Sequence, residues 1–599
     1  MEPVVIIGGG PAGLTAAWEL DRHGHACVVF EKDALVGGIA RTDQYAGYRF
    51  DIGGHRFFTK VGVVEDLWHE ILGDELLVRP RMSRIFYKGV FFDYPLKPLN
   101  ALRGLGLVEA VRCGLSFIKA QLAPHRDVKT FDQWVTNRFG RRLFEIFFAT
   151  YTEKVWGIPC DQIGADWAAQ RIKNLDLAQA IKAAVFGQRR GGKVITSLIE
   201  QFHYPRLGPG QMWESAQSQL AARGVPTELQ TEVVGLRHAD GRITEVVVDG
   251  PAGEQVVPTP HVISSMPLRQ LVRSLDPPAP PDVQEAADAL RYRDFLTVVL
   301  IVDRPELFPD NWIYIHSPEV KLGRIQNFKN WSPDMVPDPA KTALGLEYFV
   351  NVGDEHWTMD DADLIALGTR ECAALGLVDP ADVRDGCVVR MPKAYPVYDQ
   401  GYQAALATLR GWLDGFSNLQ LVGRNGQHRY NNQDHSMLTA IQAAHNIALG
   451  TEHDLWAVNV EDEYHESGAA PRGDASVPQR VAEARSLDGL LREAYARYDA
   501  VALGGALAIV GAVLVFALTA VPLLRDVVVP GMMLSRLAMY LPLYSVSWVG
   551  ASVGAAWAGA CGFGFGVALA TLINAFTRWH GLALLRRLEH AQALDPEAL

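Results

Sequence analysis

The sequence predicts an α/β protein: a doubly wound parallel-sheet domain with inserted mixed-sheet and helical substrate subdomains, followed by C-terminal transmembrane helices. Three observations predict it. Up to about residue 450, short apolar runs alternate with helical patterns and turn residues, as βα units do. A strand, a glycine-rich turn and a helix open the chain. Two long stretches near the C-terminus, 500–524 and 537–576, carry no Asp, Glu, Lys or Arg. The 599 residues are 49% hydrophobic and 21% charged, which excludes a disordered chain and allows three or four domains. A net charge of −12 gives no field to hold phosphate backbones, so no nucleic-acid partner is expected. Six scattered cysteines without a C-x-x-C pair argue for a reducing compartment, with neither a disulfide framework nor a metal site.

Val4-Val5-Ile6-Ile7 reads as a buried strand, and Gly8-Gly9-Gly10-Pro11-Ala12-Gly13 leads from it into a helix running through Leu20. That is the context a G-x-G-x-x-G dinucleotide fingerprint requires. Gly8 permits the tight turn, Gly10 lets the backbone approach a pyrophosphate, and Gly13 lets helix and sheet pack closely. The helix then presents its positive dipole end to the phosphates. A second strand, 26–30, ends in Glu31, 18 residues past Gly13, where a carboxylate accepts ribose hydroxyls and disfavours a 2′-phosphate.

Residues 61–209 are dense in apolar periodicity and aromatics (Phe144, Phe147, Phe148, Trp167) and are expected to form a mainly helical substrate subdomain. Residues 266–414 are expected to form a mixed-sheet substrate subdomain, with 1–60, 210–265 and 415–450 assembling the dinucleotide domain. The extension 451–499 holds a small, polar, Pro- and Gly-bearing linker at 466–485. Residues 500–524 suffice to cross a hydrocarbon core of about 30 Å. The 40 residues of 537–576 are too long for one straight span. They divide either into an interfacial segment (537–548) and a span (549–576), or into two short helices. Arg492 and Arg497 precede the first span and Arg578, Arg586 and Arg587 follow the last, while Arg525 and Arg536 lie between. With no basic, apolar leader at the N-terminus, the expectation is a multi-pass cell-membrane protein whose catalytic domain and tail (577–599) face the cytoplasm.

Gly37-Gly38-Ile39-Ala40-Arg41 resembles the second FAD signature of glutathione-reductase-like flavoproteins. The strand 419–423, ending in Gly423-Arg424, and the helical stretch 433–449 with Gln433, Asp434 and Ser436 resemble their distal FAD motif. The resemblance implies a Rossmann-type FAD domain, with the helix start near the isoalloxazine; Gly53-Gly54-His55 resembles instead a segment of the UDP-galactopyranose mutases, which implies that Gly54 passes over the ring. No second G-x-G-x-x-G appears, so no dedicated NAD(P)H domain is expected.

Six segments in order resemble the UDP-galactopyranose mutases, and more loosely the amine-oxidase and protoporphyrinogen-oxidase-like flavoproteins. They are Gly53-Gly54-His55-Arg56-Phe57-Phe58-Thr59, Tyr151-Thr152-Glu153-Lys154-Val155-Trp156-Gly157, 321–331 (KLGRIQNFKNW), Glu347-Tyr348, Tyr395-Pro396-Val397, and Gly423-Arg424 with Arg429-Tyr430-Asn431-Asn432-Gln433-Asp434. What the resemblance implies is a mutase without net redox change, in which reduced FAD attacks the anomeric carbon of a nucleotide- or lipid-diphosphate-linked sugar through N5. It also implies an external reductant and, at a membrane, a glycosyltransferase partner. By the same resemblance Arg324 clamps the diphosphate, Tyr348 and Tyr395 bind phosphates, Trp156 lies beside the sugar, and His55 tunes the flavin.

Two departures keep a second reading open. The family's paired diphosphate arginines are matched by Arg171, but Leu175 stands where the second belongs, leaving Arg293 to compensate. The uridine-contacting stretch is replaced by 202–214 (FHYPRLGPGQMWE), closer to protoporphyrinogen-oxidase-like enzymes. The alternative is an oxidoreductase that dehydrogenates or isomerises a polyprenoid or other lipid; a flavin-bearing scaffold without turnover is a third.

Overall fold

A computed structural model describes residues 2–94, 96, 98–165, 201–399, 401–458, 500–524 and 540–594. The chain forms two compact units, 1–475 and 476–599. Arg171, Trp167, Leu175, the linker 466–485 and the loop arginines Arg525 and Arg536 lie outside the described residues.

In the first unit, five parallel strands build one sheet from four remote parts of the chain. Val4–Ile7 lies at its centre between Cys27–Phe30 and Val262–Ser264, with Thr227–Glu228 and Leu419–Leu421 at the edges. The three inner strands are short and buried on both faces, as parallel strands must be. The helix Pro11–Arg22 covers one face and packs against the helix Gln433–Ala448. A four-stranded sheet (Glu232–Ala239, Arg242–Gly250, Gly253–Pro258, Leu275–Asp276) lies in the same unit.

A seven-stranded mixed sheet carries the rest. Its order is Val383–Pro396, Tyr292–Val302, Thr342–Val350, Arg324–Asn327, Trp312–Ile315, Ser83–Tyr87, Val90–Asp93. The last two strands come from the region read as mainly helical, which also supplies helices at Gly62–Leu72, Leu107–Leu122, Phe131–Phe139 and Thr150–Trp156.

Register decides which side chains share a face. Thr297, Glu347, Arg324 and Tyr314 stand opposite one another across four strands, and Gly345, Gln326 and Trp312 form the next row on that side. The other face is apolar: Leu296, Val298, Ile313, Ile325, Leu346 and Tyr348 join one core with Leu364 and Cys372 of the helix Asp361–Ala374. The sheet is thus greasy behind and polar-aromatic in front.

The second unit contains two helices long and apolar enough to cross a membrane, Ala500–Leu524 and Trp548–Leu594. They pack closely on small residues. A Cβ on Gly511 would come within 2.9 Å of the Ala558 carbonyl oxygen, and one on Gly562 within 2.5 Å of that of Leu507. Thr519 Oγ1 and the Tyr544 hydroxyl are 2.7 Å apart. Residues 540–547 are non-helical and one unbroken helix starts at Trp548, where the first division of 537–576 expects its span to begin; the helix is not split into two short ones and continues past 576 to Leu594.

Candidate functional site

The glycine turn is fixed by contact distances. Gly8 has φ +101°, and a Cβ on it would lie 2.3 Å from Ser265 Oγ. A Cβ on Gly13 would lie 1.8 Å from the Gly8 carbonyl oxygen, so the helix approaches the turn more closely than any other residue permits. The second glycine segment folds over the first: Gly37 N–H donates to the Gly9 carbonyl at 2.9 Å, and a Cβ on Gly10 would face Gly38 Cα at 3.8 Å. Glu31 ends its strand facing this cradle. Its carboxylate accepts the amides of Gly9 (2.6 Å) and Asp33 (2.9 Å), while burial raises its pKa. Arg41 is held by Asp33 and Asp43, at 3.2 and 3.0 Å.

The distal strand turns at Gly423 (φ +76°), where a Cβ would lie 3.0 Å from Ala12 Cβ, so this turn reaches the start of the first helix. Arg424 donates to the carbonyls of Ala394 (3.1 Å) and Asn431 (2.8 Å) and lies over the Tyr395 and Tyr430 rings. The helix Gln433–Ala448 begins here; Ser436 Oγ donates to Asn431 Oδ1 at 3.0 Å, and Asp434 is buried. Gln433 Oε1 is buried without a partner among the described residues.

In front of the large sheet, Arg324 Nε donates to Glu347 Oε2 at 2.6 Å. The other carboxylate oxygen takes Gln326 Nε2 at 2.7 Å, and Gln326 Oε1 accepts the Trp331 indole N–H at 3.0 Å. Among the described residues, Nε is the hydrogen-bonded nitrogen of that guanidinium, which leaves its terminal amino groups for an incoming anion. Burial alone would weaken the charge, but Glu347 and the phenols of Tyr151, Tyr395 and Tyr314 reverse this and hold Arg324 protonated. Burial likewise raises the pKa of Tyr151 and Tyr395, which keeps them neutral donors.

The flavin-motif loop closes over this group. The Cβ position of Gly53 (φ +94°) is 3.7 Å from Arg324 Nη2, and that of Gly54 only 2.8 Å from Gln326 Nε2. His55 is pushed down to about 3 by burial and then by Arg424 and Arg324, so it is neutral. Its Nδ1 is buried without a partner among the described residues.

The fold brings Arg324, His55, Gly54, Tyr395 and Arg424 together, and it corrects two expectations. Tyr348 follows Glu347 in the strand, so alternation sends it to the rear face. There its hydroxyl donates to Glu371 at 3.0 Å in the apolar core, away from Arg324. Arg293 is taken up structurally: it donates to the carbonyls of Phe349 (2.6 Å), Val155 (3.3 Å) and Lys154 (3.4 Å), closing the C-terminus of the helix Thr150–Trp156, and its remaining amino group lies 3.9 Å from Asp354. These contacts, and not a second anion contact beside Arg324, are what the structure shows for it. Trp156 is buried against Tyr398 and Tyr430, a layer behind Tyr395. Lys154 is a brace, its ammonium donating to Ile315 (3.3 Å), Ser317 (2.7 Å) and Leu322 (2.9 Å), with burial lowering its pKa to about 8.

Sequence reasoning missed Tyr151 and Tyr314 as site residues. The alternation Trp312-x-Tyr314 beside Arg324-x-Gln326 was the available signal. The Gly-Pro-Gly segment is a packing device, since a Cβ on Gly210 would lie 2.3 Å from the Thr42 amide nitrogen where the helix Gly210–Ala222 starts.

A sequence family described as flavin-containing amine oxidoreductase matches residues 11–448. A Mycobacterium tuberculosis protein described as a flavin-containing monoamine oxidase is 26% identical over 305 residues, 47% of this chain; the match spans 61% of that relative's length. A 1-hydroxycarotenoid 3,4-desaturase of a Flavobacterium species is 39% identical over 74 residues, 12% of this chain and 15% of the desaturase. Among solved structures, reduced UDP-galactopyranose mutase superposes with a TM-score of 0.67 at 22% identity, covering 77% of this chain and 96% of that one. An Exiguobacterium protein described as a protoporphyrinogen oxidase gives 0.58 at 17% identity, with 75% and 99% covered. These structural likenesses speak for the fold.

Proposed function

The chain belongs to the flavin-containing amine oxidoreductases and uses FAD, and on that footing we propose that it is a membrane-anchored mutase acting on a nucleotide- or lipid-diphosphate-linked sugar. The observation that carries the reading is Arg324, held by Glu347 among the phenols of Tyr151, Tyr314 and Tyr395 and beside His55. Such a group suits an anionic leaving group.

The residues fit FAD: the Gly8–Gly13 turn and Gly37-Gly38 make a cradle that side chains would fill, and His55 Nδ1 and Gln433 Oε1 are buried acceptors or donors awaiting a partner. Gly10, Glu31, Arg41, Gly423 and Arg424 would line that cradle, with the start of the helix Gln433–Ala448 near the ring. When bound and reduced, FAD supplies a nucleophilic nitrogen for the anomeric carbon. Arg324 then stabilises charge developing on the departing diphosphate, and Tyr151, Tyr314 and Tyr395 donate hydrogen bonds to its oxygens. His55, being neutral, orients the reacting edge without adding a competing cation. Second positive charge comes from Arg81 and Arg56, whose guanidiniums lie 5.4 and 6.0 Å from the Trp312 ring, one row along the same sheet face. The sugar partner is a small-molecule or lipid-linked substrate; an external reductant must keep the flavin reduced, and a glycosyltransferase would use the product at the membrane. The two apolar helices support a membrane anchor by their length and composition; the placing of the first unit in the cytoplasm rests on the arginines that flank the apolar stretches. Photoreduced enzyme is to be incubated with UDP-galactose, UDP-galactofuranose and lipid-linked sugars. Ring-isomer conversion is expected, and inactivity on the whole panel defeats the reading.

One observation favours an oxidoreductase acting on a lipid. Ile52, Phe295, Phe349 and Met391 form an apolar cluster against Tyr395 and Ile39. Bleaching of the oxidised flavin by a lipid extract, with no added reductant, would select that chemistry.

A further inference from the structure

The helix Leu107–Leu122 has an apolar side that is exposed among the described residues. Cys113 and Ala120 are buried and set its inner face, where Ser116 Oγ accepts the Arg142 amide. On the other side Val108, Val111, Leu115, Ile118 and Leu122 recur at steps of three and four residues, and all are between 53% and 81% exposed. At 3.6 residues per turn they occupy an arc of about 80°, roughly opposite the buried pair. Isolated exposed apolar residues need no explanation, but five in one helical stripe do.

The charges beside the stripe indicate what covers it. Arg112 and Lys119, seven residues apart, run along one edge of it and are exposed. Residues 98–126 hold four basic side chains (Arg103, Arg112, Lys119, Arg126) against one acidic one, Glu109, in a chain whose net charge is −12. An apolar stripe edged by long cationic side chains is the pattern of a helix lying in a bilayer interface, where lysine and arginine reach up to anionic headgroups. The same chain carries, among the described residues, two helices long and apolar enough to cross a membrane, so on the anchored reading this unit works beside a lipid surface.

We propose that the helix Leu107–Leu122 is an interfacial membrane contact of the flavin-binding unit, its Val108–Leu122 stripe buried among acyl chains of an anionic leaflet. The inference builds on the membrane-anchored reading above, and its test separates the two. Full-length, FAD-loaded protein with Cys561→Ser is reconstituted into phosphatidylcholine–phosphatidylglycerol vesicles. One sample carries a nitroxide at Leu115→Cys and another at Val513→Cys. Collision with oxygen and with a water-soluble nickel chelate then reports the depth of each label. The expected result is that the Leu115 label loses nickel collisions in vesicles, gains oxygen collisions, and reverses when phosphatidylglycerol is replaced by phosphatidylcholine at high salt. A Leu115 label that stays open to nickel, or that is broadened by the same label on a second copy, overturns the proposal. The Val513 label reports the anchor on its own: shielded beside an open Leu115 label, it leaves the anchor standing without the interfacial helix. The converse result keeps the interfacial helix and removes the spans.

Discussion

Arg324 and Glu347 face each other directly across neighbouring antiparallel strands, joined by a 2.6 Å hydrogen bond, with Glu347 fully buried. The carboxylate aims the guanidinium and is itself fixed by Gln326, so three side chains on adjacent strands set one cation in place.

Removing half of this pair should be costly. Glu347→Ala is expected to destabilise the protein by about 3 kcal/mol, because it strands a buried cation. Glu347→Gln should fold with smaller loss and lower kcat/KM about 100-fold by letting Arg324 drift. Thermal unfolding and steady-state kinetics check both.

Arg324→Lys should retain FAD and lose most affinity for inorganic pyrophosphate, since an ammonium cannot bind two phosphoryl oxygens as a fork. Titration calorimetry on the FAD-loaded protein reads this. Pyrophosphate affinity equal to wild type would remove Arg324 from the anion site.

The cradle should discriminate between its glycines. Gly13→Ala places a methyl 1.8 Å from the Gly8 carbonyl and should abolish FAD retention, whereas Gly10→Ala meets only Gly38 Cα at 3.8 Å and should fold while weakening FAD. Flavin absorbance per chain after purification distinguishes them.

Buried histidines and a buried aspartate give opposing pH slopes. His55 and His316 titrate near 3 when folded, and His428 near 4. Between those values and about 6.5 the unfolded chain binds more protons, so stability falls as pH drops through that window, by on the order of 1 kcal/mol per pH unit for each. Burial raises Asp51 to about 7, so between about 3.8 and 7 the folded chain binds its proton more tightly and stability falls as pH rises. Asp51→Asn, which keeps a partner for Thr42 and Tyr204, should therefore gain stability over wild type at pH 8 relative to pH 4. Denaturant midpoints across pH 4–8 provide the check.

Local chemistry made the dinucleotide half of the fold readable. Gly8, Gly10, Gly13 and Glu31 do their work within one βαβ unit, so spacing alone locates them. The substrate half depends on register, which spacing does not reveal. Tyr348 sits beside Glu347 in sequence yet faces the opposite core, and Tyr314, ten residues before Arg324, stands opposite it. Arg293 looked available until the helix C-terminus it closes was in place, because a guanidinium's partners are set by tertiary contacts. In the C-terminal region, absent charge marks the apolar stretch, and one of its two divisions places the start of the span beside Trp548, but the helix beyond residue 576 had no signal because charged residues there continue the helix instead of ending it.

Lys154 ties the helix bearing Tyr151 and Trp156 to the hairpin that leads from Tyr314 to Arg324. Because one ammonium grips both ends of that hairpin's connecting loop, the placing of Tyr151 and of Arg324 is tied to a single side chain. Selection for a different cargo would have to move both residues at once or first cut this bolt.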